Sequence, residues 1–308
     1  MLVFRELKED LLDSSSLALG FFDGVHTGHQ KVIRNAVNKA KELNLTSVVV
    51  TFLRHPKIVL SKTSPGMISS LDERLKLFEN SGVNTVLLLD FNEELAKMTA
   101  KQYMEQILIK CLNPKNITIG YNHRFGGDQM GNSHFLREYG EKYGFEVDVV
   151  SPVRIGSHVV SSSAIRKFIL NGDVASAEKF LGRTFTIKGE VIHGQHLGRK
   201  LGFPTANLNL PEELIIPANG VYKGLAEIES KLYYAVINVG KRPTVDNLEK
   251  DLVEVHVLEF NKDIYGQNIQ VSFLQKIREE KKFDSLEDLK SQIKQDCDFV
   301  REKQVNIK

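Results

Sequence analysis

The amino-acid sequence predicts two domains. Residues 1–182 read as an α/β domain, a Rossmann-like parallel sheet with helices on both faces; residues 183–308 read as a mainly β domain, a small antiparallel barrel or sandwich closed by a C-terminal helix. Three observations carry this. A chain of 308 residues exceeds the usual single-domain size and allows each half a core of its own. Strand-like and helix-like runs alternate from Leu17 to about Ser151, as they do in sheets covered by helices. At Gly182-Arg183 the period changes, and apolar runs then follow one another with turns but no helix between them.

In chain order, the first-domain strand candidates are 17–22, 47–52, 85–89, 116–119 and 146–150, and the helix candidates are 30–43, 71–80, 101–111 and 133–143. Parallel sheets bind ligands beyond the carboxyl ends of their strands. The first strand runs into Gly20-Phe21-Phe22-Asp23-Gly24-Val25-His26-Thr27-Gly28-His29 and then into a helix. At such a junction the free N–H groups and dipole of the helix start favour an anion, glycines admit a phosphate, and two imidazoles are at hand. Later strands end in Leu53-Arg54-His55-Pro56 and in Gly120-Tyr121-Asn122-His123-Arg124-Phe125-Gly126-Gly127. The run Ser161-Ser162-Ser163-Ala164-Ile165-Arg166 leads into a helix; its hydroxyls and guanidinium suit phosphate oxygens, although alone it reads better as a Ser N-cap beside a solvated Arg.

The helical pattern continues from Leu170 to Gly182. Beyond it the strand candidates are 185–191, 220–229, 232–239, 252–259 and 269–273, with a hairpin about Glu229-Ser230-Lys231 and a last amphipathic helix over 286–303. Between the first two of these strands, the glycine-rich basic stretch from Gly189 through Gly194, Gly198 and Arg199 to Gly202 leads into Phe203-Pro204-Thr205-Ala206-Asn207. It reads as a phosphate-covering loop followed by a rigid Pro-Thr-Ala-Asn turn, and a plain glycine-rich hairpin fits the fragment equally well. Its spacing is not Walker A, because no Gly-Lys-Ser/Thr follows.

Composition narrows the function. With 41 Lys+Arg against 39 Asp+Glu, the charge of +2 suits neither a nucleic-acid polycation nor an acidic tail, so any phosphate affinity is local. Charges interrupt the apolar residues of the N-terminal stretch, and the longest apolar runs are far too short for a bilayer, so a cytoplasmic protein without a membrane partner is expected. Cys111 and Cys297 have no Cys or His at ligand spacing and read as buried or idle thiols. His193, His196 and His256 do not make a metal site, because a flexible glycine loop cannot supply the fixed geometry that nitrogen ligation needs.

Taken together, the His-Thr-Gly-His loop and the Ser-Ser-Ser-Ala-Ile-Arg loop resemble the two signature motifs of the nucleotidylyltransferase superfamily. The histidine loop alone would fit cytidylyl, nicotinamide-mononucleotide or pantetheine-phosphate transfer equally well. The wording around both motifs is similar to the FMN adenylyltransferase domain of bacterial bifunctional FAD synthetases. The second half resembles riboflavin kinase in the Gly189–Asn207 stretch, in Pro217-Ala218-Asn219-Gly220-Val221-Tyr222, in Asn238-Val239-Gly240-Lys241-Arg242-Pro243-Thr244, in Val253-Glu254-Val255-His256 and in Arg278-Glu279-Glu280-Lys281-Lys282-Phe283.

The resemblance implies a bifunctional enzyme that phosphorylates riboflavin to FMN in the second domain and adenylylates FMN to FAD in the first, with ATP as co-substrate and Mg²⁺ as metal. It implies that His26 and His29 bind ATP phosphates on a loop with Gly20, Phe22, Asp23, Gly24 and Gly28. Ser162, Ser163 and Arg166 would hold the departing phosphates, and Asn122, Arg124 and Phe125 would line the site. In the kinase, Gly189, Gly194, Gly198 and Arg199 belong to the ATP loop, Thr205 and Asn207 hold Mg²⁺, Glu254 is the general base, and Arg278 is a flavin-site or gating residue. The chain departs from the family in having Phe21 for a polar residue such as Asn, Asn122-His123 for Asp-Phe, and Ser163 for Thr. The departures at Phe21, Asn122 and His123 motivate one alternative, that only one activity is retained; an alternative of a different class is a flavin- and nucleotide-sensing regulator.

Overall fold

The computed structural model describes residues 1–194, 197–243 and 249–302. Its contacts divide the chain into two units, Met1–Ser162 and Ser163–Lys308.

In the first unit, β1 (Leu2–Phe4) and β2 (Ser15–Leu19) precede a 3₁₀ turn (Asp23–Val25), α1 (Thr27–Glu42) and β3 (Thr46–Phe52). There follow α2 (Lys57–Leu60), α3 (Leu71–Asn80), β4 (Thr85–Leu89), α4 (Glu93–Lys97), and a helical stretch made of α5 (Ala100–Gln102), a π-helical segment (Tyr103–Ile109) and α6 (Lys110–Leu112). The unit continues with β5 (Pro114–Gly120), α7 (Ser133–Tyr143), β6 (Glu146–Val150) and the short pair β7 (Arg154–Ile155) and β8 (His158–Val159). The six-stranded sheet has the order β1-β4-β3-β2-β5-β6, and its pairings are parallel throughout.

Because side chains alternate across a strand, each central strand feeds two cores. Leu17, Leu19, Val48, Val50, Leu87, Leu89, Ile117 and Ile119 face the π-helical segment and Leu136 of α7. Ala18, Val49, Val86 and Leu88 face Val32, Ile33, Ala36 and Val37 of α1 and Phe78 of α3. Helices therefore cover both faces, as expected. β1 was not expected; three residues at a sheet edge carry too little periodicity to be read.

In the second unit, α8 (Ser162–Leu170) and α9 (Val174–Leu181) lead to β9 (Phe185–Ile192), α10 (Leu197–Leu201), β10 (Ala206–Asn209), β11 (Gly220–Ile228), β12 (Lys231–Pro243), β13 (Glu249–Val257), β14 (Asn268–Arg278) and α11 (Leu286–Glu302). Six strands close a barrel in the order β10-β13-β12-β11-β14-β9 with antiparallel pairing. The β11–β12 hairpin turns through Glu229 (φ 50°) and Ser230 (φ 63°), both left-handed, as a two-residue turn with the twist of its strands requires. One expectation is corrected here. Pro204-Thr205-Ala206-Asn207 is not a turn, because Ala206 and Asn207 begin β10, whose backbone pairs with both β9 and β13.

Candidate functional site

The first candidate site lies at the carboxyl end of β2. Leaving the buried strand, the chain takes left-handed backbone at Phe22 (φ 58°), Gly24 (φ 74°) and Val25 (φ 38°). Glycine adopts this readily, whereas a bulky or β-branched residue there costs on the order of 1–3 kcal/mol. The strain is held by contacts. Phe22 packs edge-on against Phe78 and His29. The Asp23 carboxylate, 2% exposed, accepts the amides of Ile68 (3.0 Å) and Ser69 (3.3 Å), and the Gly24 amide donates to Ser69 Oγ at 3.0 Å. Ser162 Oγ donates to the Asp23 carbonyl at 3.0 Å, which brings one predicted serine to the histidine loop.

His26 caps α1, its Nδ1 accepting the His29 amide at 3.2 Å. The two imidazoles stack, with centroids 3.5 Å apart and planes 16° from parallel. Burial, and secondarily the neighbouring His26, hold His29 well below the ordinary imidazole range, and its buried Nδ1 has no hydrogen-bond partner. The loop thus presents a strained, pre-formed polar surface with a neutral His29 at a helix start, where an anion is favoured.

Beside it, at Gly20, opens a mostly apolar cavity of about 310 Å³ lined by Val50, Phe52, Phe91, Tyr103, His123, Arg124 and Phe125 among others. Of the predicted lining residues, Arg124 and Phe125 are in its wall, whereas Asn122 is not and His123 takes that place. Burial pushes His123 down to about 4, so it lines the cavity as a neutral ring. Gly28 lies on the first turn of α1. Ser163 and Arg166 lie on α8, which groups with the second unit.

Barrel closure builds the second site from cross-strand neighbours. On β13, Glu254 stands opposite Asn207 of β10 on one side and opposite Asn238 of β12 on the other, with Asn238 Nδ2 donating to Glu254 Oε2 at 3.4 Å. Two cavities meet here. One of about 500 Å³ is lined by Glu254, Asn238, Val221, Val236, Phe283 and, from α11, Leu289, Ile293 and Asp296. The other, of about 280 Å³, is lined by Arg199, Phe260, Lys262, Asp263 and Tyr265. Thr205 and Asn207 line both. They bring two neutral side-chain oxygens to the place where the cavities join.

The glycine-rich loop approaches this junction closely. A β-carbon on Gly194 would collide with the Asn207 amide, and one on Gly198 would run into the Phe203 carbonyl. Gly189 crowds the Asn209 backbone in the same way. Arg278 lines the larger cavity with its guanidinium committed: it grips the buried carboxylate of Asp296 through Nε (3.0 Å) and Nη2 (2.8 Å), and Nη1 donates to the Glu279 carbonyl. It therefore fastens α11 over the cavity mouth. His256 Nδ1 is 2.8 Å from the Pro204 carbonyl, and burial lowers its pKa. His193 packs on Tyr265 with centroids 3.8 Å apart, while His196 and Thr244 lie outside the described residues. No group of three or more His, Cys, Asp or Glu side chains poised for a metal exists among the described residues.

One feature escaped the sequence reading, the burial of Arg74 on α3, where it follows Asp72 and Glu73; Asn238 belongs to a stretch resembling riboflavin kinase, but its place beside Glu254 follows only from strand pairing.

Comparison with known proteins places both halves. Residues 8–164 match the FAD synthetase family and residues 181–304 the riboflavin kinase family. A Haemophilus influenzae bifunctional riboflavin kinase/FMN adenylyltransferase is 38% identical over 293 residues, 94% of either chain. The protein of the same name from Escherichia coli K12 is 36% identical over 291 residues, 93% of this chain and 91% of its own. A crystal structure from Streptococcus pneumoniae, described as a macrolide-efflux protein, matches 99% of this chain and 100% of its own with a TM-score of 0.90 at 36% identity. No helix among the described residues of the present chain is long and apolar enough to cross a membrane.

Proposed function

The chain belongs to the bifunctional riboflavin kinase/FMN adenylyltransferase family, and from that premise we propose which residues carry its two reactions. Riboflavin and ATP give FMN and ADP in the second domain; FMN and a second ATP give FAD and pyrophosphate in the first. The observation that carries this reading is that each unit pairs an apolar cavity with its own polar phosphate-type loop: 310 Å³ beside Gly20 in one, 500 Å³ opening on Thr205 and Asn207 in the other.

In the kinase, the flavin occupies the larger cavity and ATP the smaller, so that the γ-phosphate meets the flavin 5′-hydroxyl near Thr205 and Asn207. Glu254 takes the hydroxyl proton as general base, and Asn238 holds its carboxylate in place. The oxygens of Thr205 and Asn207 are the hard ligands Mg²⁺ prefers, and the ion, when bound, neutralises phosphate charge. Gly189 on β9, Gly194, and Gly198 on α10 let the backbone come close to the phosphates, with Arg199 in the wall of the ATP cavity.

In the adenylyltransferase, the flavin lies against Phe125, His123 and Tyr103, and ATP lies along Gly20–His29. A phosphate oxygen of FMN attacks the α-phosphorus in line, and the bond to pyrophosphate breaks. His26 and His29 donate N–H groups to the charge that builds there, and Ser162, Ser163 and Arg166 hold the departing phosphates. Catalysis is positioning and charge stabilisation, with no covalent enzyme intermediate. We place the functional boundary at Gly182-Arg183, supported by the start of the riboflavin kinase match at residue 181. Both reactions draw on the ATP pool of the cytoplasm.

The test is chromatography of flavins after purified protein is incubated with riboflavin, ATP and Mg²⁺. FMN followed by FAD is expected. His29→Ala should accumulate FMN, and Glu254→Gln should still convert supplied FMN to FAD. Absence of both products sinks the proposal; tight flavin binding without turnover would mark a sensor.

A further inference from the structure

Arg74 of α3 is the largest fully buried side chain among the described residues, 1% exposed. A buried guanidinium is costly unless its donors are satisfied, and usually a carboxylate does so. The Asp23 carboxylate is near enough to favour its charge, but the hydrogen bonds of the guanidinium go mostly to backbone carbonyls, and its buried Nε has no partner. Nη1 donates to the Phe21 carbonyl at 3.0 Å, and Nη2 donates to those of Phe52 (3.1 Å) and Leu53 (3.3 Å). These carbonyls belong to the ends of two neighbouring strands. Phe21 opens the histidine loop after β2, while Phe52 and Leu53 close β3 and open the loop bearing His55. Thr51 Oγ1 also donates to the Phe21 carbonyl, at 2.8 Å.

The ring of Phe21 completes the arrangement. Its centroid lies 4.7 Å from the guanidinium carbon of Arg74, a cation–π distance, and the ring also meets His55 edge-on with centroids 4.6 Å apart. The departure of Phe21 from the polar residue usual at this position thus gains a role, since an aromatic face serves the buried cation. The start of α3 is tied to the same loop through Asp23 and Ser69, so Arg74 springs from a fixed base.

We propose that Arg74 is a positioning residue of the adenylyl-transfer site: its planar fork sets the spacing between the histidine loop and the end of β3, and its buried charge supplies positive field to that loop without touching substrate. Arginine suits the task because five donors in one plane reach several carbonyls at once, which a lysine ammonium cannot do in the same geometry. Burial lowers its pKa to about 10, which leaves it charged at neutral pH. The inference rests on the assignment of the Gly20–His29 loop to adenylyl transfer.

The experiment uses the full chain with Arg74→Lys, Arg74→Met and, in parallel, His29→Ala, measuring both reactions in each. Arg74→Met should lower kcat/KM for FMN adenylylation by about 100-fold, the scale of a reacting geometry misplaced by an ångström, with riboflavin phosphorylation within about twofold of the parent. Arg74→Lys keeps the charge and loses the fork, so it should restore the KM for ATP while kcat stays low. That split is the signature of positioning. Arg74→Lys with parental kcat overturns the proposal, as does a loss in either variant that tracks thermal stability and falls equally on both reactions. Should Arg74→Met fail to fold, the Lys variant decides by the same split. If His29→Ala retains FAD synthesis, the site assignment itself fails; if it abolishes FAD synthesis while both Arg74 variants keep it, only the role of Arg74 does.

Discussion

The imidazoles of His26 and His29 stack at 3.5 Å, and the Nδ1 of the first is occupied by the amide of the second, so the pair is one rigid unit at the start of α1. With its pKa lowered first by burial and then by His26, His29 is neutral in the free protein at pH 7. Phosphate charge beside it favours the protonated ring. ATP binding to the first domain should therefore take up protons, increasingly so as pH falls from 8 towards 6. Calorimetry in buffers of different ionisation enthalpy measures this, with Glu254→Gln and saturating riboflavin used to quiet the kinase, and His29→Gln should abolish it. Binding with no proton uptake in the parent protein refutes the assignment.

The same burial makes stability depend on pH. His29 and His123, the latter pushed down to about 4, both have folded values below the ordinary 6.5. Between 6.5 and the folded values the unfolded chain binds more protons, so the contribution is intact above 6.5 and is lost as pH falls through that window. The midpoint of urea unfolding should fall between pH 6.5 and 4, and His123→Phe should flatten the fall.

Asp23 is the buried clasp of the strained loop. Asp23→Ala leaves the amides of Ile68 and Ser69 without their acceptor, and each orphaned buried donor costs about 1–3 kcal/mol. Urea denaturation should show a loss of about 2–4 kcal/mol, with Asp23→Asn losing less because one acceptor oxygen survives. Equal stability of Asp23→Ala and the parent would contradict the clasp.

Glu254→Gln keeps the hydrogen-bonding shape of the side chain opposite Asn207 and Asn238 but removes the base. Riboflavin phosphorylation should fall by about 10²–10⁴ in kcat, the usual range for a general base. Flavin affinity, followed by fluorescence quenching, should stay within about twofold, and conversion of supplied FMN to FAD should not change.

Gly194→Ala places a methyl group against the Asn207 amide where the two cavities of the barrel join. The expected result is a kinase with a raised KM for ATP and unaltered FAD synthesis from FMN. An unchanged KM would mean that the glycine loop does not pass over Asn207 when ATP binds.

Much of the protein was legible in the sequence because the relevant physics is local. Alternating strand and helix periods are written in neighbouring residues, and so is their replacement by strands alone after Gly182. The His-Thr-Gly-His run marks a helix start suited to an anion wherever the helix is placed, and α7 over Ser133–Tyr143, which the structure caps with Asn132, agrees with the helix expected there. Pairing between distant strands is not local, and there the tertiary structure decided. Ala206 and Asn207 became a strand only because β9 and β13 flank them, and that pairing is what sets Asn207 against Glu254. His123, not Asn122, turned into the cavity, and Arg74, a charge that follows Asp72 and Glu73 in α3, proved to be buried under the histidine loop. A motif names the groups that can hold a phosphate; the spacing of those groups is fixed by residues far away in the chain, whose roles exist only once the strands have paired.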